Sequence, residues 1–284
     1  MAGAYFLYND QLDPSTAITC TTQNGGTSTP VASLPLINTL DRRVAKVARI
    51  TRAGTNGASL TKLRYKVLPA STGRGPLMAF VSNIVAANGA TPSVGLQLFD
   101  ASLNLLSSIP LVQAKPAASG LYNVMNSQLS YAAQPPGSTY WLDVLINFPG
   151  AQPAYVDVGR VWCSDAILLS AGVDTDWGIG AVDNAKVDRS RGQQIYAETV
   201  PRFRSASVRC SSIEEVYIYG GTQPTFLGMA LEAGTSGEAA IFPRTSNAND
   251  MTYLGIYGRL TRGPAIRHVN GIYYNVDLDI EEGL

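Results

Sequence analysis

The chain has 284 residues, 45% of them hydrophobic, which is enough to bury a sizeable core in one large or two modest domains. Charged residues make up only 15%, and 21 Lys+Arg balance 21 Asp+Glu, which excludes a global field that would draw in nucleic acid or an acidic membrane. Low charge together with 27 Gly and 16 Pro points to many strands and turns, and to surface meant for covering by partners.

At the N-terminus, residues 1–19 mix apolar and polar positions. Tyr5, Phe6 and Tyr8 suit either an arm that packs on a neighbour or an ordinary first strand. MAGAYFLYND has no basic region leading into an apolar run, so no secretory signal is expected. No apolar stretch approaches the ~18 residues of a membrane-spanning helix. Cys20, Cys163 and Cys210 are odd in number and widely spaced, so they make no disulfide framework. They are expected as free thiols of a reducing compartment, with Cys163 and Cys210 as small core residues on strands.

From residue 20 onward the hydrophobic period is mostly two. Tyr140, Leu142, Val144 and Ile146 alternate with Trp141, Asp143, Leu145 and Asn147, and Val156, Val158 and Arg160 alternate with Tyr155, Asp157 and Gly159. Strands are expected to end at Val161–Cys163, followed by a short apolar run from Ala166 to Leu169. Turn signals stand between such runs at Asn24-Gly25-Gly26, Asn88-Gly89, Pro135-Pro136-Gly137 and Pro149-Gly150. Their spacing suits a sandwich or barrel. Residues 20–170 therefore read as one β-sandwich, 171–189 as a linker and 190–284 as a smaller β-domain.

Within that second region, Phe203–Cys210 reads as a strand and residues 211–219 as a short helix. Ser211 is the expected N-cap, Glu214 the returning acid of a capping box, and Gly220-Gly221 the stop. No helix of ~12 residues or more is expected elsewhere. Gly263-Pro264 and Asn270-Gly271 mark the last turns. The final run sets Ile272, Tyr274, Val276, Leu278 and Ile280 against Tyr273, Asn275, Asp277 and Asp279, the cleanest half-buried strand in the chain.

Few residues suggest catalysis. His268 is the single histidine, and one histidine builds no His-rich metal site. A structural or surface role is expected for it. No G-x-S-x-G, no phosphate-binding glycine loop and no dinucleotide fingerprint is present. Asp174, Asp176, Asp183 and Asp188 form an acidic run without the calcium-loop pattern, and read as acids that solvate a loop and pair with nearby arginines. No catalytic, cofactor-binding or metal-ligating residue is expected, and no cofactor.

The local charge excess is Lys186, Arg189, Arg191, Arg202, Arg204 and Arg209, with Tyr196 and Phe203 beside it. Arg202 and Arg204 have the spacing to share one strand face. Asp277, Asp279, Glu281 and Glu282 offer the opposite sign near the C-terminus. Basic and acidic edges on one small β-domain suit a head-to-tail ring. Candidate interface residues are Arg189, Arg191, Tyr196, Arg202, Arg204, Asp277 and Asp279. A plain solvated face and a nucleic-acid surface are the alternatives.

Three stretches carry a resemblance to a known family. Leu34–Asp41 (LPLINTLD) with Tyr155–Trp162 (YVDVGRVW) is the first, and Arg189–Tyr196 (RSRGQQIY) with Pro201–Arg204 (PRFR) the second. The third is Ile256–Leu260 (IYGRL) with the closing strand that ends at Ile280–Glu282. Together they resemble the tail-tip or baseplate (distal-tail-like) structural proteins of long-tailed bacteriophages and prophages, although Gln193 stands where that family usually has a second glycine. The resemblance implies a mainly all-β fold: an N-terminal jelly-roll, galactose-binding-like sandwich, then a tail-tube-like β-domain with one short helix. It further implies a virion structural protein, assembled in the bacterial host cytoplasm as a homo-oligomeric ring, usually a hexamer, around the tail channel. Its partners would be further copies and other tail or fibre proteins, with no membrane, and nucleic acid only in passage through the channel.

Two rival readings differ in what they require. A carbohydrate-binding module that contacts the host surface needs aromatics such as Trp141, Tyr122 or Tyr131 at one loop end of the sandwich. An envelope hydrolase needs turnover that depends on Asp174, Asp176 or His268.

Overall fold

A computed structural model describes residues 3–43, 45–68, 77–116, 122–129, 138–182, 186–189, 195–198, 203–220, 224–245 and 253–282, the side chains of 115–116, 122–129, 186–189 and 195–198 excepted. In chain order the strands begin with β1 (Ala4–Leu7), β2 (Thr19–Gln23), β3 (Thr27–Pro30), β4 (Ala48–Ala53), β5 (Leu60–Val67), β6 (Leu77–Ala86) and β7 (Ser93–Asp100). They continue with β8 (Leu105–Gln113), β9 (Lys115–Pro116), β10 (Tyr122–Leu129), β11 (Tyr140–Asn147), β12 (Tyr155–Leu169), β13 (Gly178–Val182), β14 (Lys186–Arg189) and β15 (Ile195–Glu198). After β16 (Phe203–Glu214) come helices α1 (Glu215–Tyr219) and α2 (Phe226–Glu232), then β17 (Glu238–Phe242), β18 (Ile256–Leu260), β19 (Ala265–Asn270) and β20 (Tyr273–Glu282). A 3₁₀ turn covers Leu36–Leu40. The fold is all-β in the main, and every strand pair among the described residues is antiparallel, as alternating sequences with one buried face favour.

Two sheets make the first half. The smaller runs β2-β5-β11-β7-β8, and its centre is held in register over eight consecutive pairs from Tyr140↔Val67 to Asn147↔Leu60. Facing it is one end of a 13-stranded sheet, in which β3, β4, β12, β6, β10 and β9 are neighbours. Leu63, Tyr65 and Val67 of β5 and Leu142, Val144 and Ile146 of β11 meet Ile50, Val81, Ile84, Val156, Val158 and Val161 across the gap, all at 2% exposure or less. This sandwich core is what the two-residue period prescribes.

Alternation changes phase once on β6 and once on β12, at facing positions. Leu77, Ala79 and Val81 point into the core, and after Ser82-Asn83 the inward residues are Ile84 and Ala86. On β12 the inward set passes from Val156 and Val158 to Val161 and Cys163, across Gly159-Arg160. Asn83 takes φ 57°, a left-handed value that asparagine tolerates better than most residues. β12 thereby runs unbroken for 15 residues, so the apolar run Ala166–Leu169 is its continuation and not a separate element.

The large sheet continues β12-β1-β17-β18-β20-β16-β13, which carries it from the sandwich into the C-terminal half. β1 lies between β12 and β17, paired on both sides, with all four residues buried. Of the two readings for the N-terminus, residues 4–7 are a strand of this chain's own sheet. Ala4, Phe6, Ile167 and Leu169 join Val208, Ile241, Val276, Leu278 and Ile280 in a second core, closed by Ile218 of α1 and Phe226 and Met229 of α2. On the other face of the same strands, Tyr5, Leu7, Phe80, Trp162, Phe242 and Tyr257 form a third cluster. Gly178–Val182, inside the stretch read as a linker, pairs along β16 from Gly178↔Ser207 to Val182↔Phe203.

The helix expected over 211–219 begins four residues later. β16 extends through Ser211 and Ser212 to Glu214, with a bulge between Cys210 and Ile213 where Ser212 has φ 55°. Pairing of Ile213 with Tyr274 and Glu214 with Tyr273 outweighs the capping box. Ser211 bonds Asp174 instead, and α1 has no side-chain cap. The stop at Gly220 is as expected. α2, which the sequence reading passed over, is capped by the Thr225 hydroxyl accepting from Gly228 N–H at 3.0 Å. Cys163 and Cys210 are buried on strands and Cys20 is half-buried, and none of the three is in a disulfide. Burial pushes the Cys20 thiol up to about 11, far from a reactive thiolate.

Candidate functional site

β16, β20 and β19 lie side by side, and strand alternation sorts their residues. Val208, Cys210, Val276 and Leu278 face the core, so Ser207, Arg209, Asp277 and Asp279 face outwards. Arg209 stands directly opposite Asp277 and donates from Nε to Oδ1 at 2.9 Å. The other oxygen of Asp277 meets Arg267 of β19 at 3.5 Å. Arg262, in the β18–β19 connection, pairs with Asp279 at 2.7 Å, and Arg259 of β18 with Glu281 at 3.6 Å. At the end of the ladder Arg204 donates twice to Glu282, from Nε at 3.1 Å and from Nη2 at 2.6 Å, and also to the Tyr253 carbonyl.

The acidic C-terminal run and the arginines are therefore brought together within one chain. Of the seven candidate interface residues, Asp277 and Asp279 share this face, and Arg204 pairs with Glu282 on the other side of the same strands, in phase with Ala206 and Ile280. Arg189 and Tyr196 are placed by backbone only, on the hairpin β14–β15, where Arg189 pairs with Ile195 and Asp188 with Tyr196. Arg191 and Arg202 lie outside the described residues. Sequence reasoning missed Arg259, Arg262 and Arg267, which the pairing of β18 and β19 with β20 brings beside the acids.

Other singled-out residues have local partners. His268 is exposed, its Nε2 3.0 Å from the Gly271 carbonyl and its ring edge-on to Tyr274. Asp174 accepts from the backbone N–H and the hydroxyl of Ser211. Among the described residues no group of three or more His, Cys, Asp and Glu is placed to hold a metal ion. Trp141 is the second residue of β11, half-buried on the outer face of the small sheet between Lys66 and Phe99, close to one end of that sheet. Nearby on that face Arg64 grips Asp143 with both nitrogens, at 2.5 and 2.6 Å, and lies over the Phe99 ring. Tyr122 is placed by backbone only, and Tyr131 lies outside the described residues.

A buried charge cluster sits where the two halves meet. Arg160 of β12, 1% exposed, donates to both carboxylate oxygens of Glu238 on β17 at 2.8 and 2.7 Å, and to Asp10 at 2.6 Å. Its remaining nitrogen reaches the carbonyls of Val161 and Thr39. The Tyr257 hydroxyl donates to Glu238. Burial raises the Asp10 carboxyl above the usual carboxylate range, although Arg160 pulls the other way. Burial also opposes the charge on Arg160, yet Asp10 and Glu238 hold it above the ordinary guanidinium value.

No family model matches the sequence. Nor does any curated protein. Among solved structures the chain is similar to the enzymatically active domain of tailspike protein 4 from bacteriophage CBA120, at 11% identity and a TM-score of 0.31. That match covers 55% of this chain and spans 20% of the other. A superposition this loose does not establish a shared fold.

No described helix is long and apolar enough to cross a membrane.

Proposed function

We propose that this chain is a structural protein of the tail tip or baseplate of a long-tailed bacteriophage. In this reading it is not an enzyme. It assembles with its own copies into a ring around the tail channel and docks neighbouring tail or fibre proteins. One observation carries the reading beyond the sequence resemblance. Phe203-Arg204, at the end of the arginine-bearing stretch, is about fifty residues from the Ile256–Leu260 strand and more from the closing strand. They nevertheless lie on adjacent strands of one sheet, β16-β20-β18, joined by the Arg204–Glu282 pair. These parts of the resembling stretches thus share one sheet, which supports a ring-forming β-domain, while Arg189 and Tyr196 lie on the separate β14–β15 pair. The domain's many free backbone edges would be removed by ring closure.

Negative-stain electron microscopy of the purified protein tests this. Closed rings with a central hole, of one rotational symmetry, are expected among the class averages. Uniform monomers, both alone and after incubation with tails assembled without this protein, would sink the proposal.

A further inference from the structure

The outward face of the β16–β20–β19 sheet contains a cleft of ≈340 Å³, lined by Asp176, Ser207, Arg209, Arg262, Arg267 and Asp277 with the backbone of Val208. Its donors and acceptors are unequally used. Asp277 is covered, at 13% side-chain exposure, because Arg209 and Arg267 take one oxygen each. The three arginines are 51%, 58% and 66% exposed. Arg209 and Arg262 meet Asp277 and Asp279 through Nε. A guanidinium has five N–H donors in a planar fork, more than one carboxylate contact uses. Counting Asp279 behind Arg262, the three cations are set against Asp176, Asp277 and Asp279, so directed hydrogen bonds and not net field must supply any recognition.

We propose that this cleft binds a small oxyanion, a phosphate or carboxylate group, that carries a hydroxyl beside its charge. The anion's oxygens take the Nη hydrogens of Arg209, Arg262 and Arg267, for which guanidinium geometry is suited. Asp176 is exposed at the same cleft, near enough for its charge to act on Arg209. It repels a bare anion and rewards one whose neighbouring hydroxyl can donate to it. Asp277 holds two of the three forks in place from below, which lowers the ordering cost of binding. Binding here requires nothing of ring formation, so the two proposals fail separately.

Calorimetric titration of the intact protein at fixed ionic strength tests the assignment, with glycerol 3-phosphate, inorganic phosphate and glycerol as probes. Saturable binding of glycerol 3-phosphate with Kd of about 1 mM is expected, weaker binding of inorganic phosphate, and none of glycerol. The exposed double variant Arg262→Gln/Arg267→Gln, with its fold checked by circular dichroism, should bind glycerol 3-phosphate about tenfold more weakly. Asp176→Asn should narrow the gap between the two phosphates by strengthening the inorganic one. No saturable heat with either phosphate, or binding undiminished in the double variant, would overturn the site. Inorganic phosphate binding as tightly as glycerol 3-phosphate would overturn the role given to Asp176.

Discussion

At Arg160 five hydrogen bonds converge on one guanidinium, from Asp10, Glu238 and two backbone carbonyls. Removing one partner from such a cluster leaves the others charged, buried and unpaired, so the loss exceeds what the pairs contribute net. Arg160→Met is expected to lower stability by about 3–5 kcal/mol in urea titration. Arg43→Ala, at an exposed pair with Asp41, should leave the midpoint essentially unchanged. Equal effects from the two changes would show that the buried cluster holds nothing. A second residue-scale expectation concerns pH. The hydroxyls of Ser15 and Thr16 and the Ser15 N–H hold the Asp13 carboxyl well below the usual carboxylate range. A depressed folded value means that the unfolded chain binds more protons, so this contribution is present above ~pH 4 and is lost as pH falls towards the folded value. Asp10 has the opposite sign: burial raises its folded value, so its protonation stabilises the fold as pH falls through that value. Asp13→Asn should therefore flatten the acid limb of a stability–pH curve, and an unchanged limb would refute the assignment.

β1 shows how much one short element can carry. Its four residues pair with Ile167 and its neighbours on β12 and with Ile241 and its neighbours on β17, so the strand joins the sandwich end of the large sheet to the C-terminal end. Its side chains divide between two cores, Ala4 and Phe6 into one, Tyr5 and Leu7 into the other. Phe6 is fully buried and packs edge-on to Phe226 of α2 with ring centroids 5.2 Å apart. Phe6→Ala is expected to cost about 3–5 kcal/mol. Thermal denaturation would measure it, and a loss near zero would mean that β1 is a dispensable strap. α1 makes the contrasting point. Its capping-box sequence is sound locally, but Ile213 and Glu214 gain ladder partners on β20 and Ile213 gains a place in the core. Tertiary pairing overrides a cap worth about 1 kcal/mol.

For the whole molecule, the chain's own alternation and punctuation determine that it is a strand-rich protein with antiparallel pairing. Each half-buried strand needs only residues two apart to declare its inward face, as Val276, Leu278 and Ile280 do. The turns at Asn88-Gly89 and Asn270-Gly271 needed only glycine's freedom at φ 69° and 51°. The complementary charge of Arg204, Asp277 and Asp279 was legible, and it reads from sequence as edges that meet between copies. Their actual partners were not legible. Strand order depends on which apolar faces fit best over long sequence separations, and nothing local records that β1 enters between β12 and β17. Nor does anything local record that Arg262 and Arg267 return over β20, or that Glu238 finds Arg160 78 residues away. Sequence by itself settled the type of element and the inward face of most strands, since those follow from backbone period and side-chain size. Only the tertiary structure decided which strands are neighbours, where the charges meet and where the cleft lies, since those depend on contacts between residues that the chain keeps far apart.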